Sequence, residues 1–293
     1  MTIHVVEAGD TLQSIADQYG VSPERITLEN ELPNPDRLLI GQSIGIRVPA
    51  VVHTVAAGDT LFRIAQNYDV EPNQILQNNP RIAAQEGLNP GDVLVITYAD
   101  EEPIDTVVIN GYAYPFIDRT VLRKTLPFLT YISLFTYGFT PAGELVPIED
   151  EELIAIANEF GVAPIMVLAP MNEQGEFSSE VAHQMFINPQ AQTALINNLV
   201  TTMQAKGYSG VDIDFEFILP EDKQGFLNFI TALNTRLDQE GLITLVALAP
   251  KTSGEMTGLL YEAHDYPTIG AVADKVLLMT YEWGYTLSHA AHR

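Results

Sequence analysis

The sequence predicts two small α+β modules, each of βααβ order, followed by a larger α/β domain built on a parallel sheet. Three observations carry this. The first hundred residues repeat themselves: His4–Val21 reads HVVEAGDTLQSIADQYGV and His53–Val70 reads HTVAAGDTLFRIAQNYDV. From residue 104 onward, near-continuous apolar runs alternate with stretches of helical period, the pattern of strands buried on both faces and joined by helical crossovers. Between the two regions lies Asp100-Glu101-Glu102-Pro103, an acidic, proline-ended linker.

Each repeat opens on a short alternating run. Gly9-Asp10-Thr11 and Gly58-Asp59-Thr60 then form a turn and cap a helix, whose first amides need an oxygen acceptor. Leu12, Ile15, Ala16 and Tyr19 follow at helical spacing. Ser22-Pro23-Glu24 and Glu71-Pro72-Asn73 start a second short helix with proline near its beginning. The match resumes at Ile26/Ile75 and Asn30/Asn79 and, after one inserted residue, at Leu38/Leu88 and Gly41/Gly91. Closing strands are expected at Ser43–Val48 and Asp92–Thr97. A unit of about 45 residues is small for a core and suits a binding module better than an enzyme.

In the second region strands are expected at Thr106–Ala113, Thr130–Phe139, Pro164–Ala169, Gly210–Phe217, Ile243–Leu248 and Lys275–Tyr281. Helices are expected at Glu149–Phe160, Gln190–Lys206 and Pro220–Glu240. A (β/α)8 barrel and an open doubly wound sheet both fit this order. No Gly-x-Gly-x-x-Gly follows the first strand, which weighs against a dinucleotide site.

Composition narrows the partners. The formal charge of −24 with only 14 Lys plus Arg disfavours nucleic acid and anionic membranes, and a neutral polymer fits better. No cysteine means no disulfide and no thiolate metal site. The six histidines are scattered, and the His289/His292 spacing falls in a terminal tail, so no metal or other cofactor is expected. The N-terminus has no basic region before an apolar stretch, and no window is apolar enough to span a membrane. No export signal, membrane insertion or obligate protein partner is expected.

The chemistry centres on Val211-Asp212-Ile213-Asp214-Phe215-Glu216. In a strand, Asp212, Asp214 and Glu216 share one face, while Val211, Ile213, Phe215 and Phe217 share the other. Crowding and burial push at least one carboxyl towards its protonated form, which leaves a general acid beside ionised carboxylates. A solvent-facing acidic edge strand would alternate in the same way, but the opposite face here is purely apolar and bulky. In a barrel, functional residues sit at the C-terminal ends of strands. Glu216 is at such an end, as are Tyr281 and Glu282 in Met279-Thr280-Tyr281-Glu282-Trp283, and Tyr137 and Phe139 on the second strand. Carboxylates and aromatic faces on one rim suit a sugar.

The repeats resemble the lysin motif (LysM) over residues 2–49 and 51–99, on the pattern GDTL…IA…Y.V….I…N…L..G. The resemblance implies binding of N-acetylglucosamine glycans such as peptidoglycan or chitin. The implied groove lies between the Gly9, Asp10, Thr11 loop and the loop after Asn30, with Gly58, Asp59, Thr60 and Asn79 as its counterpart. Gly210–Glu216 together with Met279–Trp283 resembles glycoside hydrolase family 18. Of that signature, Asp-x-x-Asp-x-Asp-x-Glu, the chain keeps Asp212, Asp214 and Glu216 and has Ser209 at the first position; the later Met-x-Tyr-Asp reads Met279-Thr280-Tyr281-Glu282. The whole is similar to the cortex-lytic spore-germination N-acetylglucosaminidases of endospore formers.

That resemblance implies a TIM barrel for residues 104–293 and substrate-assisted, retaining hydrolysis of β-1,4 bonds beside N-acetylglucosamine. Glu216 would be the acid and base, Asp214 would orient the substrate's acetamido group, Asp212 would hold Asp214, and Tyr281 would donate to the amide oxygen. Tyr137, Met279, Glu282 and Trp283 would line the sugar site. The implied setting is the spore coat or cortex. Six strands in about 190 residues, where eight strands and about 250 residues are usual, predict an incomplete and C-terminally truncated barrel. An inactive glycan-binding protein anchored by its LysM pair is therefore the alternative.

Overall fold

The computed structural model describes residues 1–85, 87–99, 105–172 and 174–281. The chain forms two compact units, Met1–Val107 with Asp118–Phe128, and Val108–Ile117 with the chain from Leu129 onward.

The first unit holds both repeats. One comprises β1 (Thr2–Val5), α1 (Leu12–Tyr19), α2 (Pro23–Glu29) and β2 (Ser43–Ile46); the other comprises β3 (Pro49–Thr54), α3 (Leu61–Tyr68), α4 (Pro72–Asn78), a single turn α5 (Pro80–Ala83) and β4 (Val93–Tyr98). The expected βααβ order holds in the first module and gains only the turn α5 in the second, with antiparallel pairs β1–β2 and β3–β4. Thr11 and Thr60 accept from the amides of Ser14 and Arg63 at 3.0 and 3.2 Å, as the capping motif requires. Gly9 and Gly58 turn at φ 97° and 88°, a left-handed region costly for any residue with a Cβ. Each module closes on its own small core, led by Ile15, Ile26 and Ile44 in one and by Ile64, Ile75 and Leu94 in the other.

The helix α6 (Arg119–Thr125) and the 3-10 turn Leu126–Phe128 belong to this unit, although they follow the first strand expected of the second region. Gln77 Nε2 donates to the Pro127 carbonyl at 2.7 Å, and Lys124 pairs with Glu31 at 2.7 Å. Neither this helix nor its grouping is among the expected elements. The linker expected at residues 100–103 lies outside the described residues.

The second unit runs β5 (Asn110–Ala113), β6 (Tyr131–Phe139), β7 (Leu145–Val146), α7 (Glu151–Glu159), β8 (Ala163–Leu168), α8 (Ser179–Phe186), α9 (Pro189–Lys206), β9 (Gly210–Ile213), α10 (Lys223–Asp238), β10 (Ile243–Leu248), α11 (Tyr266–Val272) and β11 (Lys275–Leu278). Its sheet has the order β11-β10-β9-β8-β6-β5 with every neighbour parallel, and β7 only hairpins onto the end of β6. The six parallel strands are the six expected. Their spatial order follows the chain without reversal, whereas a doubly wound sheet must reverse at a switch point. The sheet is also curled: the Tyr112 hydroxyl on β5 reaches Asp212 on β9, three strands away. In a flat sheet those strands would stand about 14 Å apart with parallel side chains. This is an incomplete barrel.

On the helix side, Phe215 is fully buried and stacks against Phe139, Phe226 and Phe229 at 5.5, 5.8 and 5.9 Å. Burying each such ring contributes about 1.5–3 kcal/mol. Three strands are shorter than expected: β5 begins at Asn110 instead of Thr106, β9 stops at Ile213 instead of Phe217, and β11 at Leu278 instead of Tyr281. Phe217 is accordingly 38% exposed and does not join the apolar face assigned to it.

Candidate active site

The strand β9 is squeezed between β8 and β10, and a Cβ at Gly210 would collide with the Ile243 carbonyl. Two residues on, Asp212 points into the barrel and is fully buried. Its Oδ2 accepts from the Tyr112 hydroxyl and, at 3.4 Å, from the Ser133 hydroxyl, which in turn accepts from Asn110 Nδ2 at 3.0 Å. Its Oδ1 has no hydrogen-bond partner among the described residues. Burial pushes the Asp212 carboxyl up to about 6, against the opposing pull of the two hydroxyls. Burial also raises the Tyr112 phenol, helped by the charges of Asp212, Asp214 and Tyr281, so Tyr112 stays a donor.

The three carboxyls are graded in depth. Asp212 is wholly buried, Asp214 is 5% exposed and Glu216 is half-buried at the strand exit. Burial favours the protonated form of Asp212, while Glu216 keeps contact with solvent at the strand exit. Tyr281, 71% exposed, stands at the same end. Ser209 lies at the entry of β9, where its amide bonds the Pro164 carbonyl at 2.8 Å. The outer partners of Asp212 are therefore Tyr112 and Ser133, which sequence spacing could not single out because they come from other strands.

Two other expected sugar contacts are corrected. Met279 is 2% exposed and packs against Ala247 and Ala249. Tyr137 is fully buried on the helix side, where its hydroxyl donates to the buried Asp150 at 2.6 Å. Asp150 also accepts from Tyr208 and Lys206, each at 2.5 Å. The cause lies in the register of β6, where Leu134 pairs with Met166 but Tyr137 with Leu168. One extra residue on β6 turns every later side chain to the opposite face, so Tyr137 and Phe139 point outward while Ser133 points in. Glu282 and Trp283 lie outside the described residues.

Exposed aromatic rings stand elsewhere on the rim. Tyr114 and Phe116, 52% and 83% exposed after β5, stack at 5.1 Å, and Phe135 meets Tyr114 edge-on at 5.1 Å. Phe177 meets Phe217 edge-on at 6.2 Å, next in sequence to Glu216. The signal for the first group was Tyr-x-Phe directly after a strand.

In the modules, the polar side chains expected to meet glycan build the fold. Asn30 donates to the Ile26 and Gly45 carbonyls at 2.9 and 2.8 Å and accepts from the Gly45 amide at 2.7 Å. Asn79 makes the same three bonds to Ile75 and Val95, at 2.8, 2.7 and 2.9 Å. Asp10 accepts from the Glu7 amide at 2.7 Å and from His4 at 3.0 Å, and Asp59 from the Ala56 amide at 2.8 Å and from His53 at 3.0 Å. The backbone amide first, then the histidine, holds each of these carboxyls below its ordinary range. The other nitrogens of His4 and His53 meet Tyr19 and Tyr68 at 3.2 Å. Between modules, Arg47 lies over the Tyr98 ring at 3.6 Å and Tyr98 donates to Glu29 at 2.6 Å. A cleft of about 660 Å³ opens between α2, α5 and α6. Among the described residues no group of three or more His, Asp or Glu is placed to hold a metal ion, and no helix is long and apolar enough to cross a membrane.

A row of buried carboxyls in a singly wound parallel sheet, in a chain that also carries two small α+β modules, is the arrangement of a glycoside hydrolase. The chain belongs to the glycosyl hydrolases family 18, whose profile matches residues 167–292, and it carries LysM domains at residues 4–47 and 53–97. It is 35% identical over 292 residues to the cortical fragment-lytic enzyme of Bacillus subtilis (strain 168), covering 98% of this chain and 67% of that one. Among solved structures it is similar to the spore cortex-lytic enzyme SleL of Bacillus megaterium QM B1551, with a TM-score of 0.74 at 34% identity over 98% of this chain and 68% of that one. The Bacillus cereus SleL structure matches at 0.74 and 29% identity, over 97% and 66%. This chain thus spans about two thirds of the length of these relatives.

Proposed function

We propose that the protein hydrolyses β-1,4 bonds beside N-acetylglucosamine in peptidoglycan of the spore-cortex kind, by a substrate-assisted retaining mechanism, while the LysM pair holds the polymer. The observation that supports this is the row of three carboxyls, with Asp212 and Asp214 buried and Glu216 at the accessible strand exit, where a glycosidic oxygen can reach it. Glu216 gives its proton to the glycosidic oxygen as the bond to the anomeric carbon breaks. The acetamido oxygen of the same sugar forms the new bond to that carbon, giving an oxazolinium ion. Asp214 accepts from the acetamido N–H and balances the developing positive charge, an electrostatic role strengthened where water is excluded. Asp212, pushed up to about 6, takes a share of the proton between the two aspartates, and Tyr112 and Ser133 keep it in place. The Tyr281 hydroxyl donates to the acetamido oxygen. Water then attacks the anomeric carbon, Glu216 takes its proton, and the acetamido group is regenerated.

The test compares N-acetylated cortex fragments with the same fragments after N-deacetylation, reading new reducing ends. Cleavage of the first alone, lost in Glu216→Gln with polymer binding retained, is expected. Equal cleavage of the deacetylated glycan would refute an internal nucleophile.

A further inference from the structure

Beyond Ile213 the chain leaves the sheet ladder, yet it must still carry Glu216 at a fixed place. The pairing of β9 with β10 ends at Ile213 and Val246. Past that point the Asp214 amide donates to the Leu168 carbonyl at 3.0 Å and the Ile218 amide to the Leu259 carbonyl at 3.1 Å. Between these anchors the Phe215 carbonyl accepts from Nε2 of His264 at 3.0 Å. The same ring takes the Ala249 amide on Nδ1 at 2.9 Å. A carbonyl only accepts and a backbone amide only donates, so the ring carries its hydrogen on Nε2 and none on Nδ1. His264 is fully buried, and its own carbonyl accepts from Lys251 Nζ at 2.5 Å. One neutral imidazole therefore bridges the exits of two adjacent strands where their ladder has stopped.

We propose that His264 is a positioning residue for the reaction: it replaces the missing ladder bonds and fixes the Phe215–Glu216 peptide so that the acid is aimed at the scissile bond. It touches no substrate, and the proposal rests on the role given to Glu216 above.

Two variants of the full chain test it. His264→Asn keeps an acceptor at the δ position for Ala249 and loses the donor to Phe215. His264→Gln places an amide N–H at the ε position and keeps that donor. The expected result is that His264→Gln stays within about fivefold of the native kcat, while His264→Asn loses about 10²-fold with KM nearly unchanged, the size of effect an ångström of misplacement produces. Exchange of the Ile218 amide should quicken in His264→Asn and not in His264→Gln. Equal loss of kcat in both variants, in step with loss of stability, would overturn the proposal, as would a fully active His264→Asn. If the native chain cleaves no N-acetylated glycan, the proposed hydrolysis is what fails. Ile218 exchange then decides the clamp alone, and equal rates in the two variants would overturn it.

Discussion

Replacing Asp212 by Asn should make the barrel unit more stable at neutral pH and abolish one component of its pH dependence. The buried carboxyl is raised from 3.8 to about 6, so between those values the folded state keeps a proton that the unfolded chain releases. Stability must then fall as pH rises through that window, and the loss is complete above about pH 6. The full shift corresponds to about 3 kcal/mol. An amide has no proton to lose and still offers an oxygen to Tyr112 and Ser133. The stability difference, native minus Asp212→Asn, should therefore drop by about 1.4 kcal/mol from about pH 5 to about pH 8. Hydrogen exchange of the β9 amides, corrected for the intrinsic pH dependence, reports the opening free energy of that unit. A difference that is flat with pH, or that grows, would refute an interior carboxyl held in its protonated range.

Asp150→Ala should cost about 2–4 kcal/mol in thermal unfolding, because it takes the shared acceptor from the phenols of Tyr137 and Tyr208 and leaves Lys206 only Glu151. Asn79→Ala should lower the stability of the second module by about 3 kcal/mol and speed exchange of the Val95 amide, which loses its acceptor. Phe116→Ala, at an 83% exposed ring, should leave stability within about 0.5 kcal/mol. The same change should weaken binding of soluble N-acetylglucosamine oligomers several-fold in calorimetry. Binding to insoluble glycan should persist in about 0.5 M salt, where charge attraction is screened within about 4 Å.

Much of the architecture was legible because it rests on local periodicity. The capped helices of the modules and the six apolar strands each announce themselves within a dozen residues. The carboxylate face of β9 was legible for the same reason, since alternation alone puts Asp212 and Asp214 together. Tyr137 was misplaced because one extra residue on β6 reverses the alternation, and nothing local marks a bulge between Leu134 and Tyr137. Asn30, Asn79, Asp10 and Asp59 were expected to meet ligand because the resemblance to LysM places them beside the implied groove. Here their bonds close on main chain that comes from the last strand or the preceding loop. Tyr112, Ser133 and His264 were illegible for a plainer reason: their partners lie 100, 79 and 49 positions away in sequence.

The longest of those separations bears on how the site comes into being. Tyr112 belongs to the first strand of the curled sheet and Asp212 to the fourth, so the carboxyl gains its phenol only after every intervening strand has docked in order. Contacts so distant along the chain form late, once the cost of closing the loop between them has been met. A folding intermediate holding β6 through β10 would have the full carboxylate row and yet no poised Asp212. Catalytic competence would then trail compactness during synthesis or refolding, and a proteolytic cut that released β5 would silence the site while leaving every acidic residue in place.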